Sequence, residues 1–152
     1  NQGGVDYLLV GGLAVNLHGL PRMTYDLDIM ILLDESNVAA LASLLSSWGY
    51  RPRVPVDPLD LADPAKREAW ERDKNMKALC FVNEREPVAE IDVVLSAPAS
   101  YADMRERAVR VPFAAGTVPV ASIPDLIAMK RATGRPQDAD DARHLALLAE
   151  RA

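Results

Sequence analysis

The segment "YDLDIMILL" places two carboxylates directly ahead of an uninterrupted apolar run. Asp26 and Asp28 are two residues apart, and residues 29–33 are all apolar. A run of this kind is typical of a strand that is buried on both faces of a sheet. Because side chains alternate along a strand, both aspartates would point to one face, roughly 6.5–7 Å apart. The sequence therefore predicts a strand over 27–33 whose entrance carries two like charges.

Two carboxylates this close repel each other unless water or a cation lies between them. Mg²⁺ characteristically binds one or two carboxylates together with the phosphates of a substrate. The same D-x-D spacing also occurs at solvated strand ends, so the pair by itself leaves both interpretations open.

A third carboxylate lies in the strand-like segment "EIDVVL". Asp92 is flanked by Ile91 and Val93, and an ionised aspartate is costly to bury without a partner. Either it points to solvent through strand alternation, or it shares a metal site on a neighbouring strand. Glu90 lies on the same face by the period of two and competes for the role of third ligand. Asp92 is favoured because apolar residues on both sides fix its position more tightly.

Gly11 and Gly12 follow the strand-like segment "VDYLLV" and open a short helix predicted over 13–19. Glycine lets a ligand approach the backbone closely, and the N–H groups at a helix start can bind an anion. A plain tight turn would use the same pair of residues. No serine or threonine lies nearer to this turn than Thr24.

Further elements follow from periodicity and from helix start and stop signals. Asp63-Pro64 predicts the start of a helix over 64–73, and Ser122 with Asp125 resembles a capping box ahead of a helix over 123–133. Another helix is predicted up to residue 48 from a cap at Asp34 or Ser36, and further helices are predicted over 100–108 and 137–150. Strands are predicted over 5–10, 77–83, 88–96, 109–113 and 117–121. The segments 77–83 and 88–96 would form a hairpin across "EREP", and residues 50–63 would form a loop. Early alternation of strands and helices, followed by clustered strands, predicts an α/β or α+β sheet covered by helices.

Size and charge restrict the class of protein. The 152 residues predict one domain, with a core over about 1–121 and C-terminal helices over about 122–152. The net charge of −5 does not attract nucleic acid over the whole surface. Cys80 is the only cysteine, which excludes a disulfide framework. No apolar run approaches the roughly 20 residues that span a bilayer. We expect a cytoplasmic protein without membrane partners.

Taken together, "GGLAVNLHGLPRMTYDLDIMI", "EIDVVL" and "IPDLIAMKRATGRPQDADDARHL" resemble the DNA polymerase β-like nucleotidyltransferase superfamily. The resemblance is to its stand-alone prokaryotic members, the minimal nucleotidyltransferases and the toxins of abortive-infection toxin–antitoxin pairs. It covers about a third of the chain. It implies a mixed β-sheet flanked by helices with a short C-terminal helical segment. The sequence departs from the better-known pattern in carrying "GG" where "GS" would place a serine beside the phosphate.

The resemblance implies transfer of a nucleoside monophosphate from a nucleoside triphosphate to a hydroxyl acceptor. Two Mg²⁺ ions, or Mn²⁺ in their place, would assist the reaction. The implied metal ligands and catalytic residues are Asp26, Asp28 and Asp92, of which Asp92 also helps to activate the acceptor hydroxyl. The implied nucleotide-binding residues are Gly11, Gly12, Arg22, Thr24 and Lys130. The acceptor would be tRNA or other RNA, a protein or a small molecule, and a cognate antitoxin would be a partner.

The C-terminal charged residues also have ordinary structural interpretations. Lys130 and Arg135 resemble the lysine and arginine of the family, but either can lie on a solvated helix face. Asp138 and Asp141 fall near the start of the last helix, where acidic residues stabilise the helix dipole.

Three other interpretations stay open. A glycosyltransferase with a D-x-D motif also binds a metal–nucleotide through two aspartates, although it usually carries a large nucleotide-sugar domain ahead of the motif. A catalytically inactive relative would bind only a nucleotide or a partner protein. A general metal-binding α/β domain would leave the glycine turn and Arg22 unexplained.

Overall fold

The computed structural model describes residues 3–152. Within that range the strands are β1 (Tyr7–Val10), β2 (Leu27–Ile31), β3 (Arg51–Pro52), β4 (Ala78–Val82), β5 (Ile91–Val94), β6 (Val109–Phe113) and β7 (Gly116–Val120). The α-helices are α1 (Gly11–Leu17), α2 (Glu35–Ser47), α3 (Pro64–Lys74), α4 (Tyr101–Glu106), α5 (Ile123–Thr133) and α6 (Pro136–Glu150), and a 3₁₀ helix spans Pro58–Ala62.

The helix caps predicted from the sequence are present. The side chain of Asp34 accepts a hydrogen bond from the backbone N–H of Asn37 at 2.7 Å, which identifies Asp34 as the cap of α2. Asp63 caps α3 in the same manner, and Ser122 caps α5. α1 begins two residues earlier than predicted, because Gly11 adopts a φ of +71° that lets the chain turn from β1 directly into the helix.

The chain divides into two compact units. The first contains Tyr25–Ser96 and the N-terminal stretch up to Tyr7. Its strands lie in the order β3-β4-β5-β2. β2 pairs with β5 in parallel, whereas β5 pairs with β4, and β4 with β3, in antiparallel fashion. The predicted hairpin of β4 and β5 is therefore present, and the sheet of this unit is mixed.

Buried apolar residues alternate with half-buried residues along both strands of that hairpin. Leu79, Phe81, Ile91 and Val93 are buried, so one face of the hairpin belongs to the core. α2 contributes Val38, Leu41 and Leu45 to the buried residues of this unit. The opposite face of the hairpin is left half-open, and it carries Cys80 and Asp92.

A buried asparagine ties the ends of this unit's strands together. The Asn37 amide donates to the carbonyl oxygens of Asp6 at 2.9 Å and of Leu32 at 2.7 Å, and it accepts from the Asp6 N–H at 2.7 Å. These bonds satisfy backbone groups just before β1 and just after β2. The end of the strand that follows the carboxylates is therefore fixed by the first turn of α2.

The second unit contains Leu8–Thr24 and Ala97–Ala152. Its β1 residues pair in parallel with β7, with Leu9 opposite Val120, and β7 forms an antiparallel hairpin with β6. α5 ends at Gly134, which has a φ of +70° and lets α6 start two residues later. The Nε2 of His18 donates to the carbonyl oxygen of Ala121 at 2.8 Å, which gives this histidine a structural role.

The predicted mixed α/β class is confirmed, because each unit combines helices with parallel and antiparallel strand pairs. The division into one domain with a core over about 1–121 and C-terminal helices over about 122–152 stays a prediction. None of the helices among the described residues is both long enough and apolar enough to cross a membrane.

Candidate active site

A row of three polar side chains crosses the half-open face of the first unit. Asp28 on β2 lies directly opposite Asp92 on the parallel strand β5. Asp92 in turn lies directly opposite Cys80 on the antiparallel strand β4. Because residues in register on neighbouring strands point to the same face, the three side chains are side by side. The structure thus brings together two predicted ligands that are 64 positions apart in the sequence.

Glu90 joins this row at its edge. Single ligand atoms of Cys80, Glu90 and Asp92 all lie within 4.8 Å of one another, which is close enough to share one ion. One carboxylate oxygen of Glu90 accepts a hydrogen bond from the guanidinium of Arg53. Its other oxygen lies 3.5 Å from the thiol sulfur of Cys80. Glu90 is thus near enough to contribute, but an arginine already offsets its charge, which favours Asp92 as the third ligand.

Asp26 lies just before β2 and is influenced by both of these acids. Loss of water around its carboxyl raises the pKa of Asp26, and the negative charges of Asp92 and Glu90 raise it further. A hydrogen bond from the Glu90 backbone and the charge of Arg53 act in the opposite direction without cancelling the shift. A carboxyl whose pKa is raised by neighbouring carboxylates would gain from a cation between them. The carboxylate oxygens of Asp26, Asp28 and Asp92 are the donor type that Mg²⁺ and similar divalent ions prefer.

Cys80 was not recognised from the sequence as part of this group. Burial raises the pKa of its thiol, and hydrogen bonds to Asp92 and Glu90, together with the Asp92 charge, raise it further. The thiol is thus held as a protonated donor to the carboxylates. No short-range signal in the sequence indicates this, because it is the hairpin register that places Cys80 opposite Asp92.

A second set of predicted residues lies in the second unit, around Gly12. A Cβ atom at Gly12 would lie 3.0 Å from Oγ1 of Thr24 and 3.4 Å from Nε of Arg22. The segment that carries Arg22 and Thr24 thus packs directly on the first turn of α1. The backbone N–H of Arg22 also donates to the side chain of Asn16 at 2.9 Å. The absence of a side chain at Gly12 therefore leaves room for the side chains of Thr24 and Arg22.

This packing predicts that Gly12→Ala destabilises the protein. The new methyl group would also lie 3.2 Å from Cβ of Thr24, and overpacking of this kind costs about 1–3 kcal/mol. The matched control is Gly116→Ala, where the added Cβ meets nothing within 4 Å. Urea denaturation of both variants checks the prediction. Equal midpoints for Gly12→Ala and Gly116→Ala would contradict it.

Arg22 and Lys130 converge on one acidic residue of α6. Oδ2 of Asp141 accepts a hydrogen bond from Nη1 of Arg22 and lies 3.2 Å from Nζ of Lys130. The Lys130 ammonium also donates to Oδ1 of Asp138 at 2.9 Å. The side chain of Lys130 is only 10% exposed, so this lysine does not lie on a solvated helix face.

Asp138 is the most deeply buried acid of this group. Its burial alone would raise its pKa, but hydrogen bonds from Thr133, Lys130 and Arg135 and the charge of Lys130 outweigh burial and lower the pKa of Asp138 to about 2. Asp138 therefore does more than stabilise the dipole of α6, because its carboxylate binds Lys130 and Thr133 near the end of α5. Lys130 and Arg135 are both paired with this carboxylate and do not form an unpaired basic patch.

Comparison with known proteins identifies the family. The profile of the family described as "Nucleotidyl transferase AbiEii toxin, Type IV TA system" matches residues 2–146, which is nearly the whole chain. The chain belongs to the AbiEii nucleotidyltransferase family. No curated protein matches it at a significant level.

Two solved structures resemble the fold of this AbiEii-family protein. The lincosamide antibiotic adenylyltransferase LnuA, bound to lincomycin, has a TM-score of 0.58 at 15% sequence identity, over 94% of this chain and 87% of that one. ANT(2″)-Ia in complex with adenylyl-2″-tobramycin has a TM-score of 0.55 at 14% identity, over 97% of this chain and 81% of that one. At these identities the likeness concerns the fold. The predicted superfamily is confirmed, and the protein is a nucleotidyltransferase.

The predicted site residues of this AbiEii-family protein thus occur as two groups, each described within its own unit. The first unit holds the carboxylates Asp26, Asp28 and Asp92. The second unit holds the nucleotide-binding candidates Gly11, Gly12, Arg22, Thr24 and Lys130. Their individual roles in the reaction stay predictions.

Proposed function

We propose that this protein is a Mg²⁺-dependent enzyme that moves a nucleoside monophosphate from a nucleoside triphosphate to a hydroxyl group. The reaction joins the α-phosphorus to the acceptor oxygen and releases pyrophosphate, while the hydroxyl proton leaves to a base. Membership of the AbiEii family supports the transfer reaction. The requirement for Mg²⁺ and the roles of individual residues are our proposals.

One observation carries the proposal: Asp28 and Asp92 lie in register on adjacent parallel strands, and the charge of Asp92 acts on Asp26. Rigid strands position ligands well, because the backbone pairing fixes where each side chain begins. Three carboxylates in such an arrangement repel one another without a cation. We therefore assign Asp26, Asp28 and Asp92 as the residues that hold the metal, with two Mg²⁺ as the expected ions and Mn²⁺ as a substitute.

When bound, the metal would neutralise charge that develops on the transferring phosphate and lower the pKa of the acceptor hydroxyl. Asp92 would accept the hydroxyl proton on a carboxylate oxygen, since it lies at the centre of the acidic row. Asp26 and Asp28 would hold the metal ion with their carboxylate oxygens. Cys80 would orient Asp92 by donating its thiol hydrogen to that carboxylate.

We propose that the second group of residues binds the phosphates of the nucleotide. Gly11 and Gly12 would present backbone N–H groups to the phosphates. The planar fork of Arg22 suits phosphate oxygens, and Lys130 would act as a point charge. Thr24 would order the segment between Gly12 and the carboxylates, because its side chain lies against Gly12.

The acceptor is a hydroxyl of an RNA, a protein or a small molecule. The family description names a toxin of a type IV toxin–antitoxin system, and the two structural neighbours act on or carry antibiotics. Lys130 is buried against Asp138, so it adds no exposed charge for long nucleic-acid contacts. We therefore propose a toxin that modifies an RNA end or a protein and is opposed by a cognate antitoxin.

The test is transfer of label from each of four α-³²P nucleoside triphosphates, with Mg²⁺, into a cell extract. Label should enter one RNA species or one protein band with one preferred donor. Asp28→Asn and Asp92→Asn should abolish that labelling. Asp73→Asn is the matched control, because Asp73 is exposed and pairs only with the neighbouring Arg72 among the contacts described for it.

Labelling that is equal in wild type and in both variants, with nucleotide binding intact, would overturn the catalytic proposal and leave a nucleotide-binding module. A companion growth assay examines the toxin role. Induction of the wild type should arrest growth, and induction of Asp92→Asn should not. Growth arrest by both proteins would contradict a toxicity that depends on transfer.

A further inference from the structure

One oxygen atom bridges two of the cations assigned to the nucleotide. Oδ2 of Asp141 accepts from Nη1 of Arg22 and lies 3.2 Å from Nζ of Lys130. Arg22 precedes β2, whereas Lys130 lies on α5 and Asp141 on α6. No short-range pattern in the sequence predicts contacts among these three residues. Asp141 is therefore what holds two like charges beside each other in the second unit.

These three side chains are largely withdrawn from water. The side chains of Arg22, Lys130 and Asp141 are 20%, 10% and 13% exposed. Charges in such a place interact more strongly than they do at a solvated surface. Without the carboxylate, the guanidinium and the ammonium would repel each other, and each would gain by turning toward water. The placement of Arg22 beside Lys130 thus depends on Asp141.

Arg22 and Lys130 have N–H groups that Asp138 and Asp141 do not use. Nε of Arg22 is buried and has no hydrogen-bond partner among the described residues. A buried donor without a partner is uncommon in folded proteins, and Nε of Arg22 can therefore donate to a further hydrogen-bond partner. Lys130 also has three N–H donors, of which two are directed to Asp138 and Asp141. Asp141 uses a single oxygen for both cations and leaves these donors available to an anion.

We propose that Asp141 is a positioning residue for the nucleotide: it aligns Arg22 and Lys130 so that both can donate to the phosphates of the bound triphosphate. This inference rests on the proposed function. Asp141 does not touch the phosphates in this scheme, because like charges would repel; it acts through the two cations. Asp138 holds Lys130 from the other side at 2.9 Å, so the fold of the α5–α6 pair does not depend on Asp141 alone.

The experiment measures binding of Mg²⁺–nucleoside triphosphate and of inorganic triphosphate by titration calorimetry. Asp141→Asn keeps the shape of the side chain but removes its charge. It should weaken both ligands by the same factor, about 10- to 100-fold, which is the scale of lost hydrogen bonds to charged groups. The KM for the nucleotide should rise by a similar factor while kcat changes little. Asp141→Glu, which keeps the charge, should lose less affinity than Asp141→Asn.

Asp140→Asn is the matched control on the same helix. Asp140 is exposed and pairs with Arg143 three residues on, so both binding constants should stay at the wild-type values. Melting followed by circular dichroism shows whether each variant is folded. If Asp141→Asn is unfolded at the assay temperature, the comparison of Asp141→Glu with the wild type decides, and a loss of affinity is again the expected result.

Wild-type affinity in a folded Asp141→Asn would overturn the positioning role. Tighter binding by that variant would also overturn it, because it would show that the carboxylate competes with phosphate for the cations. Failure of the wild type to bind either ligand is a different result, since it contradicts the proposed nucleotide site itself. The first two outcomes compare Asp141→Asn with the wild type, whereas the third concerns the wild type alone, so failure of this inference and failure of the proposed function are distinguishable.

Discussion

Asp92→Asn is expected to slow nucleotidyl transfer by about 10²- to 10⁴-fold. The reason is that a metal held by carboxylates contributes several kcal/mol to transition-state stabilisation, and each 1.36 kcal/mol changes the rate tenfold. Asp92 lies between Asp28 and Cys80 in the row across three strands, so its loss removes the central negative charge. The measurement is the single-turnover rate of label transfer to the identified acceptor, over a series of Mg²⁺ concentrations.

Glu90→Gln is the matched comparison for that variant, because both residues belong to the group within 4.8 Å. Glu90 pairs with Arg53, whose side chain is 53% exposed, and exposed pairs contribute about 0–1 kcal/mol. We therefore expect a rate loss below about tenfold. Equal losses in Glu90→Gln and Asp92→Asn would contradict the choice of Asp92 as third ligand and would show that the two acids act as one unit.

Asp138→Asn is expected to lower the free energy of unfolding by about 3 kcal/mol. Removal of one partner from a buried ion pair typically costs 3–5 kcal/mol, and the lower end applies because Asp141 still lies 3.2 Å from the Lys130 ammonium. The partner left behind is Lys130, whose side chain is 10% exposed, and the side chain of Asp138 itself is 3% exposed. Urea denaturation at neutral pH measures the change. Asp140→Asn serves as the control and should shift the midpoint little, because its ion pair is exposed.

The pKa of about 2 for Asp138 also predicts how stability depends on pH. A folded-state pKa below the unfolded value of about 3.9 contributes stability that is fully present above about pH 4. That contribution, on the order of 2 kcal/mol, is lost as the pH falls through the folded-state pKa. Urea midpoints between pH 5 and pH 2 should therefore fall less steeply in Asp138→Asn than in the wild type. Parallel curves for the two proteins would contradict the prediction.

Local signals in the sequence predicted most of the elements. Asp34, Asp63 and Ser122 cap helices because a short polar side chain that reaches a free backbone N–H needs only neighbours in sequence. The hairpin of β4 and β5 followed from two strand-like runs around a short polar turn. The two-residue strand β3 and the 3₁₀ helix Pro58–Ala62 were missed inside a predicted loop, because elements this short carry too few residues for a periodic signal.

The strand register could not be derived in the same way. Asp28 lies opposite Asp92, and Cys80 lies opposite Asp92, but a slip by one residue would send each side chain to the other face. The predicted turn "EREP" does not by itself select one of the two registers. The packing of Leu79, Phe81 and Val93 in the core selects one of them, and Cys80 joined the acidic row only through that selection.

The sequence by itself determined the family and the mixed α/β class, and it predicted the three candidate carboxylates. These depend on residue types at short spacings and on the order of motifs along the chain. Only the tertiary structure decided that Lys130 is buried against Asp138, and that Asp141 bridges it to Arg22. A lysine on a helix has the same local signals whether it faces water or a buried acid. The difference lies in residues distant along the chain, since burial makes an ion pair necessary and the fold supplies the partner.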